Sequence, residues 1–182
     1  MVTAIEVVGY DERWPAWFEE LRARYEAALE DVAVSSIEHV GSTSVPGLAA
    51  KPVIDIDIVV ERDDVAAAVG ALEAIGYVSL GEMGIADRWA VRAPVDSVRT
   101  NTYVVVAGSL ALRNHLAVRD TLRSDDSLRD EYGALKMRLA AETDDFDVYV
   151  PAKSPVLQRA LAAAGLSDEE LATIEADNHP NS

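Results

Sequence analysis

The chain has 182 residues, 49% hydrophobic and 26% charged, which fits one globular domain with a real core and excludes a disordered chain. Its formal net charge is −16, so it repels polyphosphate backbones at long range and bulk nucleic-acid binding is not expected. It has no cysteine, which excludes disulfides, thiolate metal sites and a Cys nucleophile and fits a cytoplasmic protein. No apolar run reaches the roughly 18 residues of a membrane span. No basic segment followed by an apolar one opens the chain, so no signal peptide is expected. Basic residues are mostly Arg, and Lys is confined to Lys51, Lys136 and Lys153. Excess acid with scarce Lys fits a high-salt cytoplasm and fits a GC-rich genome equally well.

In chain order, Ile5 to Val8 is a short strand-like run. Asp11 to Pro15 opens a helix with Pro near its first turn. Trp14, Trp17, Phe18, Leu21, Tyr25 and Leu29 recur at helical spacing, which predicts a helix over 14–31 with its aromatics in the core. Strands are predicted over 36–40 and 52–60. Asp63 and Asp64 precede a helix that stops at Gly76. A short strand over 77–80 leads to a loop holding Gly81 and Gly84. Residues 88–92 and 98–106 read as an antiparallel hairpin turning at 94–97. Helices are predicted over 110–122 and 128–141, a brief strand over 148–150, and a helix over 154–164 ended by Gly165. Ser167 and Glu170 form a capping-box pattern for a last helix over 168–176. One domain thus covers 1–176, and the tail 177–182 is expected to fray. Strands come first and helices follow, so the class is α+β.

The chemistry concentrates in "EHVGSTSVPGLAAKPVIDIDIVV", residues 38–60. Side chains alternate along a strand, so Asp55 and Asp57 share one face while Ile54, Ile56 and Ile58 pack on the core. Two carboxylates about 7 Å apart along a strand repel and are costly to desolvate. Mg²⁺ compensates directly, because it takes oxygen ligands from one or two carboxylates plus substrate phosphates. Salt bridges to Arg, or a face open to water, are the alternatives. Upstream, Gly41 and Ser42 follow a strand, where exposed N–H groups and a hydroxyl can hold a phosphate; an ordinary turn would look the same.

Strand, Gly-Ser, loop and Asp-x-Asp strand together resemble the nucleotidyltransferase superfamily with the DNA polymerase β-like fold. Within it, "HVGSTSVPGLAAKPVIDI" (39–56) looks like the signature of the GrpB family. "YDERWPAWFEELR" near the start, "HLAVRDTLR" (115–123), "EYGALKMRLA" (131–140) and "VYVPAKSPVLQRAL" (148–161) agree, so the similarity spans about residues 6 to 165. The resemblance implies a mixed or antiparallel sheet flanked by helices, with a helical C-terminal part. It implies a triphosphate on Gly41 and Ser42, and Mg²⁺ on Asp55 and Asp57, which would be catalytic in nucleotidyl transfer. It implies no settled reaction. A related domain fused to dephospho-CoA kinase has been regarded as a folding accessory, which implies a non-catalytic alternative with a protein partner.

The pattern also departs from the superfamily. A two-metal site wants a further carboxylate, which the superfamily supplies from a strand beside Asp-x-Asp. The corresponding run "VRTNTYVVVA" (98–107) has no acid and lacks the histidine-rich segment of GrpB relatives, carrying Asn101, Thr102, Tyr103 and Val104 instead. Asp96, just before it, substitutes only if its loop folds back. Lys51 and Arg88 are the expected phosphate or nucleotide partners. His39, Thr43, Ser44, Arg92, Arg99 and Lys153 are expected pocket residues. Ser42 and Ser44 are not read as nucleophiles. Arg119 and Arg123 read as a solvated pair on a helix with Asp120. His115 and His179 are assigned no role.

Overall fold

The computed structural model describes residues 5–94 and 98–178. Helix α1 (Trp14–Ala28) carries Pro15 in its first turn, where no intrahelical N–H is lost. Trp14, Phe18, Leu21 and Tyr25 line its buried face, as their spacing predicts. Strand β1 (Val34–Val40) runs into a short 3-10 turn (Ser42–Ser44). Then come β2 (Ile54–Val60), α2 (Val65–Ala74), β3 (Val78–Gly81), β4 (Arg88–Arg92) and β5 (Thr100–Val106). Four helices follow: α3 (Leu110–Ser124), α4 (Asp126–Glu142), α5 (Phe146–Ala163) and α6 (Asp168–Asn178).

The strands form one mixed sheet in the order β1-β2-β5-β4-β3. Only β2 and β5 are parallel; the other neighbours are antiparallel. The predicted pairing of β4 with β5 is present, with Trp89 opposite Val104. Its turn, with Asp96, lies outside the described residues. This is an α+β fold with its helical part at the C-terminal end.

The two sheet faces have different company. Ile54, Ile56, Ile58 and Val104 pack against α1 and α2 in the main core. Tyr25 and Tyr77 close that layer through a buried hydroxyl chain to Thr102, with O···O distances of 2.9 and 3.0 Å. On the opposite face, α3 covers one end, where Val59 and Val105 meet Ala111 and Leu112. The other end of that face carries Asp55 and opens toward α4 and α5. Those helices are joined to the loop after β1 by Val45, Leu48, Leu128, Tyr132 and Val156.

Two predicted strands are corrected. Residues 148–150 belong to α5. Asp145 caps that helix by accepting the Asp147 N–H at 2.9 Å, and the Tyr149 N–H donates to the Asp145 carbonyl at 2.9 Å, the four-residue rung of a helix. Pro151 and Pro155 lie within the same helix. Residues 5–8 contribute only a single antiparallel bridge, Val8 to Ala50. The capping box of α6 forms, with the Ser167 N–H donating to Glu170 Oε2 at 2.8 Å. That helix continues to Asn178, and residues 179–182 of the expected tail, with His179, lie outside the described residues. Among the described residues, no helix is long and apolar enough to cross a membrane.

Candidate functional site

Parallel pairing of β2 with β5 sets Asp55 opposite Asn101 and Asp57 opposite Tyr103. The aspartates share a face, as the alternation requires, but not an environment. Asp57 is fully buried. Its Oδ2 lies 2.7 Å from His115 Nδ1, and its Oδ1 has no hydrogen-bond partner. Asp55 is half-buried at the mouth, where its Oδ1 accepts the Asn101 amide at 2.7 Å. Burial pushes the Asp55 carboxyl up to about 6; Asn101 and His115 oppose the shift and the Asp57 charge adds to it. Burial disfavours a charged His115, yet the Asp57 carboxylate and its hydrogen bond outweigh that and raise the imidazole above its usual value.

Gly41 explains how the turn reaches the carboxylate. Its φ is +68° and ψ −174°, a combination open essentially to glycine. A Cβ there would lie 2.0 Å from Asp55 Oδ2. The turn is held from several sides. Ser44 Oγ donates to Gly41 O at 2.6 Å, and Arg123 sends two N–H donors to Ser44 O at 3.0 and 2.8 Å. Thr43 donates to Val53 O at 3.2 Å and lies 3.0 Å from His39 Nε2. With its only proton given to Val53, Thr43 must accept from His39, which fixes the ring's tautomer. Burial lowers the His39 pKa to about 4, helped by the charges of Arg123 and Arg119, and the neutral ring stacks on Phe18 at 4.7 Å.

In front of the turn lies a cleft of about 280 Å³ lined by Ser42, Thr43, Asp55, Arg99, Asn101, Tyr132 and Tyr149 together with Lys51, Lys136 and Lys153. Every lysine of the chain is here. Lys136, on α4, is buried at 3% exposure and donates to Ser42 Oγ at 2.8 Å. Each ammonium also sits over a ring, Lys51 over Phe146 at 4.2 Å, Lys136 over Tyr132 at 4.4 Å and Lys153 over Tyr149 at 4.5 Å. Burial, then repulsion from Lys153, lowers Lys136 to about 7. Burial and repulsion from Lys51 lower Lys153 to about 8. The cleft therefore concentrates positive charge that wants an anion.

Of the residues singled out in the sequence, Ser42, Thr43, Lys51, Asp55, Arg99 and Lys153 line this cleft. Asp57 stands behind it, and Gly41 forms its rim. Others are elsewhere. His39 and Ser44 line a separate cavity of about 440 Å³ behind the turn, with Tyr10, Phe18 and Arg123. Arg88 stacks over Tyr103 at 4.4 Å and lines a small space beside His115. Arg92 is exposed at the far end of β4, opposite Val78. Sequence reasoning missed Lys136, His115 and Arg123. Lys136 was signalled by the scarcity of lysine. His115 and Arg123 depend on how α3 crosses the sheet, which nothing local reveals.

The residues present fit one divalent cation. Asp57 Oδ1 is a buried carboxylate oxygen without a donor, a costly state that a cation relieves. They do not supply a two-metal cage: among the described residues, no His, Cys, Asp and Glu cluster reaches three ligands, and the β5 residue beside Asp55 is Asn101, not an acid.

The sequence profile of the GrpB protein family matches residues 4–163. A UPF0157 protein of Halalkalibacterium halodurans is 36% identical over 88% of this chain and 83% of its own length. One from Streptomyces coelicolor is 36% identical over 90% of this chain and 92% of its own. A dephospho-CoA kinase of Mycolicibacterium paratuberculosis is 32% identical over 83% of this chain but only 44% of its own. The crystal structure of GrpB from Enterococcus faecalis superposes with a TM-score of 0.75 at 32% identity, covering 87% of this chain and 98% of that one. Cid1 in complex with its short product ApU gives a TM-score of 0.57 at 14% identity over 82% of this chain and 49% of that one, a likeness of fold alone. The fold is thus nucleotidyltransferase-like, and the chain belongs to the GrpB family.

Proposed function

We propose that the protein binds a nucleotide or another phosphorylated small molecule, with Mg²⁺ on Asp55 and Asp57 and the phosphates against Gly41, Ser42 and the lysines. One observation carries this reading. A chain of net charge −16 gathers all its lysines, with Arg99, around one small cleft beside a Gly-Ser turn. Mg²⁺ would bridge the carboxylates to the phosphates and lower their mutual repulsion. A cytoplasmic setting, with its nucleotides and Mg²⁺, belongs to the same reading. Nucleotidyl transfer is the chemistry such a cleft would host, and Asn101 in place of an acid weighs toward binding without transfer. Calorimetric titration with the four nucleoside triphosphates and with inorganic triphosphate, each with Mg²⁺, tests the proposal. Lys136→Met and the double change Asp55→Asn/Asp57→Asn should each weaken binding by about tenfold or more, some 1.4 kcal/mol. Unchanged affinity in both variants would sink it.

A second reading, an accessory domain that holds a protein partner, is favoured by Asn101 and by the likeness to part of a dephospho-CoA kinase. It requires that the Asp55→Asn/Asp57→Asn protein still retain whatever co-purifies with the wild type.

A further inference from the structure

The cavity of about 440 Å³ behind the Gly41–Ser44 turn shares none of the cleft's lysines. Arg123 and Arg129 line it, and their counter-charges differ. Arg129 holds Asp126 at 2.6 Å and Asp130 at 2.9 Å. Arg119, one turn before Arg123 on α3, takes Glu38 at 2.8 Å and Asp120 at 2.7 Å. Arg123 is left with a neutral partner, the Ser44 carbonyl, which accepts from its Nε and Nη2. The carboxylate oxygen paired with it, Asp120 Oδ1, is 4.0 Å from Nη1, beyond hydrogen-bond reach. Burial and then the Arg119 charge lower the Arg123 pKa, with Asp120 and Glu38 opposing. In a chain of net charge −16, this is a cation short of an anion.

Of the five N–H donors of a guanidinium, Ser44 engages two. The remaining edge, Nη1 with Nη2, offers two parallel N–H groups that match a carboxylate. The walls beyond it are largely apolar, with Phe18, Tyr10 and Pro46. His39, stacked on Phe18 and neutral with a pKa of about 4, adds no charge. The acid that lines the cavity, Glu19, is exposed and lies 3.4 Å from Arg22. One guanidinium edge among apolar walls suits a monoanion, whereas a phosphate dianion would leave half its charge unmet. We propose that this cavity is a second ligand site, which takes a small organic carboxylate with an apolar or aromatic body. The carboxylate lies on the Nη edge of Arg123 and the body lies among Phe18, Tyr10 and Pro46. This site stands whether or not the lysine cleft binds phosphate.

Titration of the whole chain with benzoate, followed by two-dimensional proton–nitrogen NMR that includes the Arg Nε–H signals, tests it. Benzoate should saturably move the Arg123 Nε–H signal and the amides of Phe18 and Ser44, and leave those of Asn101 and Lys153 in place. Benzylamine, the same ring with a positive charge, should move none of them. Glu19→Gln, an exposed change, should tighten benzoate about twofold by removing a like charge from the cavity wall. Arg123→Met should weaken it by about tenfold or more. No saturable shift in the wild type would overturn the proposal without recourse to any variant. Shifts centred on Asn101 and Lys153 would put the carboxylate in the lysine cleft and overturn it too, leaving the phosphate reading intact. Benzylamine bound as well as benzoate, or benzoate weakened by Glu19→Gln, would refute the choice of an anion. Unchanged benzoate affinity in folded Arg123→Met would remove the guanidinium from the site and the proposal with it.

Discussion

An amine as enclosed as Lys136, at 3% exposure, keeps its proton only with help from its surroundings. Ser42 offers one hydrogen bond and Asp55 a nearby negative charge, while Lys153 pushes the other way. With a folded pKa of about 7 against 10.5 for the free side chain, the unfolded chain binds the extra proton between these values. Stability should therefore rise as pH climbs from 7 toward 10.5 and level off beyond it. The Lys136 share is at most about 5 kcal/mol. Urea unfolding of wild type and Lys136→Met across this range isolates it, and the difference between the two should shrink to nothing if the amine is in an ordinary environment. Phosphate binding should also draw a proton onto Lys136 near neutral pH. At this scale the sequence was half legible. Asp55, Asp57, Gly41 and Ser42 announce themselves by spacing. The Asn101 contact follows from the register of β2 with β5, and His115 from the crossing of α3 over that sheet, both of which are settled by packing far along the chain.

At the scale of elements, α3 acts as a clamp on the Gly41–Ser44 turn. Arg119 joins Glu38 and the His39 carbonyl at 2.8 and 3.2 Å, and Arg123 grips the Ser44 carbonyl. The expected pairing with Asp120 is present, at 2.7 Å from Arg119, yet both guanidiniums also reach across to β1 and the turn. Arg123→Ala should cost about 1.5–3 kcal/mol, the worth of charge-assisted hydrogen bonds, read from the urea midpoint. It should also weaken triphosphate binding although Arg123 lies outside the cleft. Full affinity in that variant would show that the turn keeps its shape without the clamp. Regular elements were the legible part: α1, α2 and β4 follow from aromatic spacing, a Gly stop and alternation. Residues 148–150 were misread because Val-Tyr-Val is made of strand-favouring residues, while the helical signal rests on the Asp145 cap just upstream.

Across the whole molecule, charge divides into a negative exterior and a positive pocket. The excess of −16 repels itself, and salt screens that repulsion over a Debye length of about 10 Å at 0.1 M. Sodium chloride should therefore raise Tm, by about 2–4 °C for each kcal/mol relieved. Sulfate or phosphate at equal ionic strength should raise it further by entering the lysine cleft, and Lys136→Met should lose much of that excess. Equal effects of chloride and sulfate on the wild type would mean that the cleft does not select multivalent anions.

The prolines of α5 bear on how freely that cleft accommodates its contents. Pro151 and Pro155 have no amide hydrogen, so the carbonyls of Asp147 and Pro151 go without their usual rungs. The turn carrying Phe146 and Tyr149 is thereby only loosely spliced to the remainder of its helix. These are the rings that lie beneath Lys51 and Lys153. Opposite them, the Gly41–Ser44 turn is bolted down by Arg123. One side is tied down and the other lacks two helical rungs, so in the proposed role the cleft would hold the phosphate end of a ligand while tolerating differences in the bulk of whatever is attached to it.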